Sequence, residues 1–286
     1  MKIREILTAK RPTLSFEVFP PKKEDAFSSV EDTALAIASL KPDFMSVTYG
    51  AGGGTSRYTA EIASRIQEKK KIPAIAHLTC VSSTRQQVHA VLKELQEKGI
   101  ENVLALRGDI PEDGIVSTDY RYASELVAEI REVAPSLCIG AACYPEGHPE
   151  ASSVREDIAR LKEKVDAGVD FITTQLFFDN EHFYHFLYHL REAGVTVPVL
   201  AGVMPVTKTV QLRRAARMAG ATPPKRFLTL LDRYGDNPAA MEQAGIIYAS
   251  EQLVDLIANH VNGVHIYTMN RPDVAEKILS HIRVLL

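Results

Sequence analysis

Eight short apolar runs, each followed by polar or turn-forming residues and most separated by helical stretches, leave this chain few folds to choose from. The runs are Leu14–Phe19, Phe44–Tyr49, Ala74–Thr79, Val103–Leu106, Ile139–Cys143, Phe171–Thr174, Pro198–Val203 and Val264–Thr268. Helical segments lie between them at Phe27–Leu40, Arg57–Lys70, Arg85–Lys98, Tyr120–Val133, Val154–Ala167 and Glu181–Glu192. In the third of these, Val88, Val91, Leu92 and Leu95 mark one apolar face at the i, i+3, i+4, i+7 spacing. Gly99, Gly168 and Gly194 each stand between a helix and a strand, where a left-handed cap is wanted. Strands joined through helices pair in parallel, because a parallel pair needs a long crossover. The pattern therefore predicts an α/β fold, a (βα)8 TIM barrel forming a single domain over residues 1–286. Barrels of this kind need about 250 residues, in keeping with the length. Three further helices, Val210–Met218, Pro223–Tyr234 and Pro238–His260, precede the last strand, and Met1–Arg11 reads as a lead-in helix covering the barrel floor.

Composition narrows the class of function. Hydrophobic residues make up 45% of the chain, enough to fill a large core and to exclude disorder. The net charge is −3 and no long basic run occurs, which disfavours nucleic acid and membrane surfaces as partners. The three cysteines, Cys80, Cys138 and Cys143, show no metal-ligand spacing, so no metal is expected. Cys138 and Cys143 project from opposite faces of one strand and cannot bridge, which suits reduced thiols and a cytoplasmic protein. The opening MKIREILTAK has no apolar signal core, and no run approaches the ~20 apolar residues of a membrane span.

In such a barrel, polar residues at the carboxyl ends of the strands converge on one mouth, where active sites lie. That places Glu17, Thr48, His77, Arg107 with Asp109, Tyr144 and Gln175 around one cavity. Glu17 sits within an apolar strand, so its carboxyl is expected to have a raised pKa, as a general acid requires. A structural carboxylate paired with Lys or Arg is the competing account. Arg107-Gly108-Asp109 could bind a phosphate and a heterocycle, or form a tight turn with an internal ion pair. His77 could equally be a satisfied core residue. Tyr144-Pro145-Glu146-Gly147-His148 is a rigid loop carrying two rings, with a purely structural role as its alternative. Asp157 and Lys164 share a helix face, as solvated charges commonly do. Gly52-Gly53-Gly54-Thr55 lacks P-loop spacing, and a loop after a strand is the simpler reading. No GxGxxG follows a strand, so a flavin or nicotinamide would be held by the barrel mouth.

The motifs SFEVFPP (15–21), SVTYGA (46–51), HLTC (77–80), LRGD (106–109), YPEGHPEA (144–151), TQLFFD (174–179) and YTMNR (267–271) together resemble the bacterial 5,10-methylenetetrahydrofolate reductase family. The resemblance implies an FAD-bearing barrel that reduces 5,10-methylenetetrahydrofolate to 5-methyltetrahydrofolate by a ping-pong hydride transfer. Glu17 matches the family's general acid, and Asp109 the carboxylate near the flavin and the pterin. The positions matching FAD contacts are Tyr49, Ala51, His77, Arg107, Gly108, Asp109, Ala123, Tyr144, His148, Ala151, Asp157 and Lys164. Gln175, Gln211 and Arg271 match folate contacts, with Arg271 suited to the glutamate tail, while Thr48 and Gln175 match positions used by the nicotinamide donor.

Two positions depart from the family pattern. Ala215 stands where some bacterial members carry a Phe that meets both substrates, and Glu163 where a relative has a basic FAD contact. The donor is accordingly left as NAD(P)H or an electron-transfer partner protein. The regulatory domain of eukaryotic members is absent from this sequence, so inhibition by S-adenosylmethionine through it is not expected. Homo-oligomers are the general expectation for enzymes. Two other readings compete: a different flavin barrel of the proline dehydrogenase type, and a non-catalytic folate-binding subunit.

Overall fold

All eight runs form strands, and the strands close on themselves. In a computed structural model of the chain, β1 (Thr13–Val18), β2 (Phe44–Val47), β3 (Ala74–Thr79), β4 (Asn102–Leu106), β5 (Cys138–Cys143), β6 (Phe171–Thr174), β7 (Val199–Val203) and β8 (Gly263–Tyr267) pair in sequence order. Every pairing is parallel, and β8 returns to β1 to complete the (βα)8 barrel. The structure describes all residues except 9–10, 22, 50–55, 111–115 and 118, together with the side chains of 56 and 57.

Around the barrel run α2 (Phe27–Ala38), α3 (Ser56–Lys70), α4 (Arg85–Glu97), α5 (Ala123–Val133), α6 (Val154–Asp166) and α7 (Asn180–Glu192). Side-chain caps set several helix starts. Thr84 and Gln87 form a reciprocal capping box on α4, and Ser153 accepts from the Glu156 amide at the head of α6. Helix α5 starts three residues later than the sequence pattern suggests, because Glu125 folds back to accept from the Tyr122 amide. The predicted insertion before β8 forms α8 (Thr209–Ala219), α9 (Lys225–Tyr234) and α10 (Pro238–Ala258). A further helix, α11 (Pro272–Ile282), follows β8; the sequence reading stopped short of it at Arg271.

The lead-in segment is shorter than expected. Among its described residues only α1 (Ile3–Ile6) is helical, a single turn, yet it does cover the floor. Ile3 and Leu7 pack on a layer of inward side chains, Phe44, Ile75, Leu104, Phe171 and Leu200. The Ile3 amide is fixed by Asn102 Oδ1 at 2.8 Å. Gly140 belongs to this layer by having no side chain: a Cβ there would lie 2.5 Å from the Phe171 ring. The three cysteines are buried and free, as expected. Among the described residues no helix is long and apolar enough to cross a membrane.

Candidate active site at the barrel mouth

Because side chains alternate along a strand, Thr13, Ser15 and Glu17 all point into the barrel from β1. Their register partners on β8 are Gly263, His265 and Tyr267, and Glu17 is also level with Ser46 on β2. The apolar floor therefore gives way upward to a polar core made by strands that meet where the barrel closes. Glu17 Oε2 lies 3.2 Å from Ser46 Oγ and 3.4 Å from His265 Nε2. Ser46 Oγ also meets His77 Nε2 at 2.8 Å, and His265 Nδ1 meets Ser15 Oγ at 2.7 Å. Both imidazoles are buried.

This surrounding overturns the expectation of a raised pKa for Glu17. Burial does push its carboxyl upward, but the hydrogen bond from His265, the imidazoles of His77 and His265 and the Ser46 hydroxyl outweigh it. The carboxyl is held below the ordinary glutamate range. His77 is pushed down to about 4 by burial, so at neutral pH it is an uncharged ring that meets Ser46 Oγ at 2.8 Å and lies 3.5 Å from Glu17 Oε2. Glu17 is therefore a carboxylate at neutral pH.

Beside this core lies a second group of expected residues. Arg107 and Gly108 follow β4; Gly108 has φ +87°, and a Cβ would lie 2.9 Å from Thr79 Cβ, so only glycine fits. Arg107 makes a bidentate pair with Glu150, at 2.6 and 2.7 Å. Asp109 is exposed, with its charge felt at Arg107 and Tyr144. Tyr144 and His148 stand edge to face with centroids 4.6 Å apart, and burial pushes the Tyr144 phenol up to about 12. Asp157 accepts from the His148 amide, and burial raises its carboxyl. Lys164, on the same helix face, reaches inward rather than to solvent. Its ammonium donates to the Ala142 carbonyl at 2.6 Å, and burial lowers its pKa. Ala151 closes the loop with a hydrogen bond to the His148 carbonyl, and Ala123 opens α5.

The remaining expected residues are placed as follows. Thr48 lies just past β2, its amide bonded to the Val18 carbonyl, and Tyr49 packs against the main core. The Gln175 amide bonds to the Cys143 carbonyl at the end of β6. Gln211 uses its carbonyl oxygen to cap α8, accepting from the Thr207 and Lys208 amides. Arg271 is already paired with Glu242 and Asp273, a carboxylate environment that raises its pKa. Ala215 is buried beside Leu176, Met204 and Phe227, and Glu163 is surface-exposed and paired with Arg160. Ala51 and the Gly52–Thr55 loop lie outside the described residues.

Sequence reasoning did not single out His265, Ser15 and Ser46, which build the hydrogen-bonded cluster around Glu17. The available signal was the period of two: in Val264–Thr268, His265 is the only residue with an ionisable imidazole, two positions below Tyr267 on the same face.

A closed parallel barrel with its titratable groups at the carboxyl ends of the strands is the architecture of a barrel enzyme. The chain belongs to the methylenetetrahydrofolate reductase family, whose family model matches residues 2–283. The 5,10-methylenetetrahydrofolate reductase of Pectobacterium carotovorum subsp. carotovorum is 35% identical over 274 residues, which cover 96% of this chain and 91% of that protein. The 5,10-methylenetetrahydrofolate reductase of Escherichia coli (strain K12) is 34% identical over 271 residues, covering 95% and 90%. Methylenetetrahydrofolate reductase (NADH) 1 of Arabidopsis thaliana is also 34% identical, but this chain spans 50% of its length. Among solved structures, a Clostridium thermocellum protein described as binding two copies of 5-methyl-5,6,7,8-tetrahydrofolic acid superposes with a TM-score of 0.68. It covers 99% of this chain and 98% of its own at 16% identity, a likeness of fold alone.

Proposed function

We propose that this chain reduces 5,10-methylenetetrahydrofolate to 5-methyltetrahydrofolate with FAD as its cofactor, in a ping-pong cycle, and with Glu17 as general acid. The observation that carries the reading is the family match over nearly the whole chain combined with Glu17 inside a buried hydrogen-bonded cluster at the barrel mouth.

The residues present fit an anionic dinucleotide. Lys164 is a buried ammonium with one carbonyl contact, and Arg107 already holds a carboxylate in the bidentate manner that a phosphate would use. Gly108 lets the turn after Arg107 pack closely on Thr79 and Val81, and the Tyr144–His148 ring pair offers an aromatic wall. In this reading Arg107 and Lys164 meet the pyrophosphate, with Tyr49, Ala51, His77, Gly108, Ala123, Tyr144, His148, Ala151 and Asp157 completing the FAD site. Bound FAD would carry the hydride from the electron donor to the folate.

Glu17 protonates the folate nitrogen that leaves the methylene carbon, opening the five-membered ring to an iminium. Asp109, exposed beside Arg107 and Tyr144, provides the negative charge near the pterin. Thr48 and Gln175 serve the donor face, and Gln175 and Gln211 the folate. Gln211 would do so through its amide NH2, since its carbonyl is engaged in the cap. For Arg271 to take a glutamate tail, the tail must displace Glu242 or Asp273. The donor is NAD(P)H or an electron-transfer partner protein.

The test is anaerobic. The flavin of the FAD-loaded chain is photoreduced, 5,10-methylenetetrahydrofolate is added, and the visible flavin band is followed. Return of the oxidised spectrum with stoichiometric 5-methyltetrahydrofolate is the expected result. A band that stays bleached points to another flavin barrel, and a chain that binds folate but takes up no FAD points to a non-catalytic folate-binding subunit.

A further inference from the structure

The hydrogen-bond pattern around Glu17 bears on where a proton is stored. Ser15 Oγ lies 3.3 Å from the Val264 carbonyl, to which it can only donate, and 2.7 Å from His265 Nδ1. A serine hydroxyl has one hydrogen. If Ser15 donates to Val264, the Nδ1 of His265 must carry a proton and donate to Ser15. The other ring nitrogen, Nε2, faces Glu17 Oε2. A neutral ring protonated at Nδ1 would set two lone pairs against each other there. A neutral ring protonated at Nε2 would draw the Ser15 hydrogen away from Val264. Only a ring protonated at both nitrogens makes every one of these contacts at once.

The other side of Glu17 needs no further proton. A neutral His77 donates from Nε2 to Ser46 Oγ, and Ser46 donates to Glu17 Oε2. Tyr267, whose ring is 5.2 Å from that of His265, donates its hydroxyl hydrogen to the Thr174 carbonyl and carries no charge. Glu17 is thus the anionic group facing His265; on the β7 side its neighbour in register is Gly202. Ser46 Oγ, His265 Nε2 and, at 3.5 Å, His77 Nε2 converge on Oε2, leaving Oε1 without a bond to any described residue.

We propose that His265 is the proton reservoir of this site: it rests as an imidazolium against the Glu17 carboxylate and charges Glu17 with the proton that the folate nitrogen receives. The inference rests on the reading of Glu17 as the acid. The balance is one proton. It passes from His265 Nε2 to Glu17 Oε2; the carboxyl, with its soft terminal torsion, turns that O–H toward the mouth. The proton then forms the N–H bond on the leaving nitrogen as the carbon–nitrogen bond breaks and its electron pair stays on that nitrogen. The iminium forms from the lone pair of the other nitrogen. His265 is left neutral, with its remaining proton on Nδ1 toward Ser15, and regains a proton at Nε2 from solvent. The 3.4 Å separation is long for a hydrogen bond, as such contacts commonly are before a substrate closes the site. His265 acts through Glu17 and is a positioning residue.

The experiment is nitrogen-15 NMR of the full chain with labelled imidazoles at pH 7, the His265 signals being identified by their loss in His265→Gln. Two protonated ring nitrogens at His265, falling to one in Glu17→Gln, are expected. One protonated nitrogen in the unaltered chain overturns the proposal. In the anaerobic assay, His265→Gln should slow reoxidation by 5,10-methylenetetrahydrofolate roughly tenfold or more, and change its pH profile, with flavin reduction by the donor unaltered. An unchanged rate and profile in His265→Gln, beside a slow Glu17→Gln, overturns the reservoir and leaves Glu17 as the acid. A Glu17→Gln chain that reoxidises at the unaltered rate overturns both. Should His265→Gln not fold, Ser15→Ala removes the acceptor of the Nδ1 proton while keeping ring and carboxyl. It should lose the second ring proton and slow the same half-reaction, and failure to do either overturns the proposal.

Discussion

Glu150→Gln should tighten the binding of FAD. Arg107 is held by Glu150 through two parallel hydrogen bonds of 2.6 and 2.7 Å, so a phosphate that claims this guanidinium must first break them. The pair is partly exposed, with 27% of the Arg107 side chain and 58% of the Glu150 side chain open to solvent. Pairs so exposed are worth roughly 0.2–1 kcal/mol, and their solvent screening sets the upper end here. Removing the competitor should therefore lower the Kd for FAD by up to about fivefold, since each 1.4 kcal/mol is a factor of ten. The loop itself should hold, because the contact Glu150 makes within it comes from its backbone amide, which donates to His148 Nδ1. The assay is quenching of flavin fluorescence on titrating FAD into stripped protein, with riboflavin, which has no phosphate, as the control. The gain should appear for FAD, be absent for riboflavin, and shrink in salt near 0.5 M, where the Debye length is only ~4 Å. Equal or weaker FAD binding by Glu150→Gln, or an equal gain with riboflavin, would refute the reasoning.

Three other outcomes are expected. Phe171→Ala empties the barrel floor of a fully buried ring and should cost about 3–5 kcal/mol, read as a lower urea midpoint at constant slope. Burial opposes ionisation of Asp170, but the Ile139 amide, Arg131 and Arg4 outweigh it and hold the carboxyl below the usual aspartate range. A depressed folded pKa stabilises above the unfolded value, so stability should fall as pH drops below about 4, and Asp170→Asn should flatten that loss in acid denaturation curves. Lys164→Met replaces a buried ammonium with an apolar chain of similar length; thermal melting of the flavin-free protein should not fall, while FAD affinity should drop roughly tenfold or more as a phosphate partner disappears. Loss of melting temperature without loss of FAD affinity would count against Lys164 as a cofactor contact.

Much of the barrel is legible from sequence because burial on both faces of a parallel strand writes itself as a continuous apolar run. Leu14–Phe19 and Thr13–Val18 differ by one residue at each end, and Pro238–His260 overruns α10 by two. Boundaries slip where a side chain decides them, as Glu125 does for α5. The lead-in fails as a long helix because its work is done by two inward residues, Ile3 and Leu7, and one turn suffices to aim them. The site was legible as a set of strand ends, not as a network. Glu17 looks like an isolated carboxyl in an apolar run, and that isolation is what a raised pKa was argued from. Its neighbours are set by register between β1, β2 and β8, which no local pattern encodes. His265 lies 248 positions away in the chain.

That separation has a consequence for how the enzyme comes into being. A ribosome delivers Glu17 248 residues before His265, so over that stretch of elongation the carboxyl has Ser46 and His77 within reach but not His265. Contacts across so many residues are the slow ones to form, because a long loop must close before they return any stability. The pairing of β1 with β8 both seals the barrel and brings Glu17 to His265. Partly made or partly folded chains should hold Arg107, Tyr144 and Lys164 yet lack the contact between Glu17 and His265. Turnover would then report on closure of the fold itself, switching on when the seam shuts.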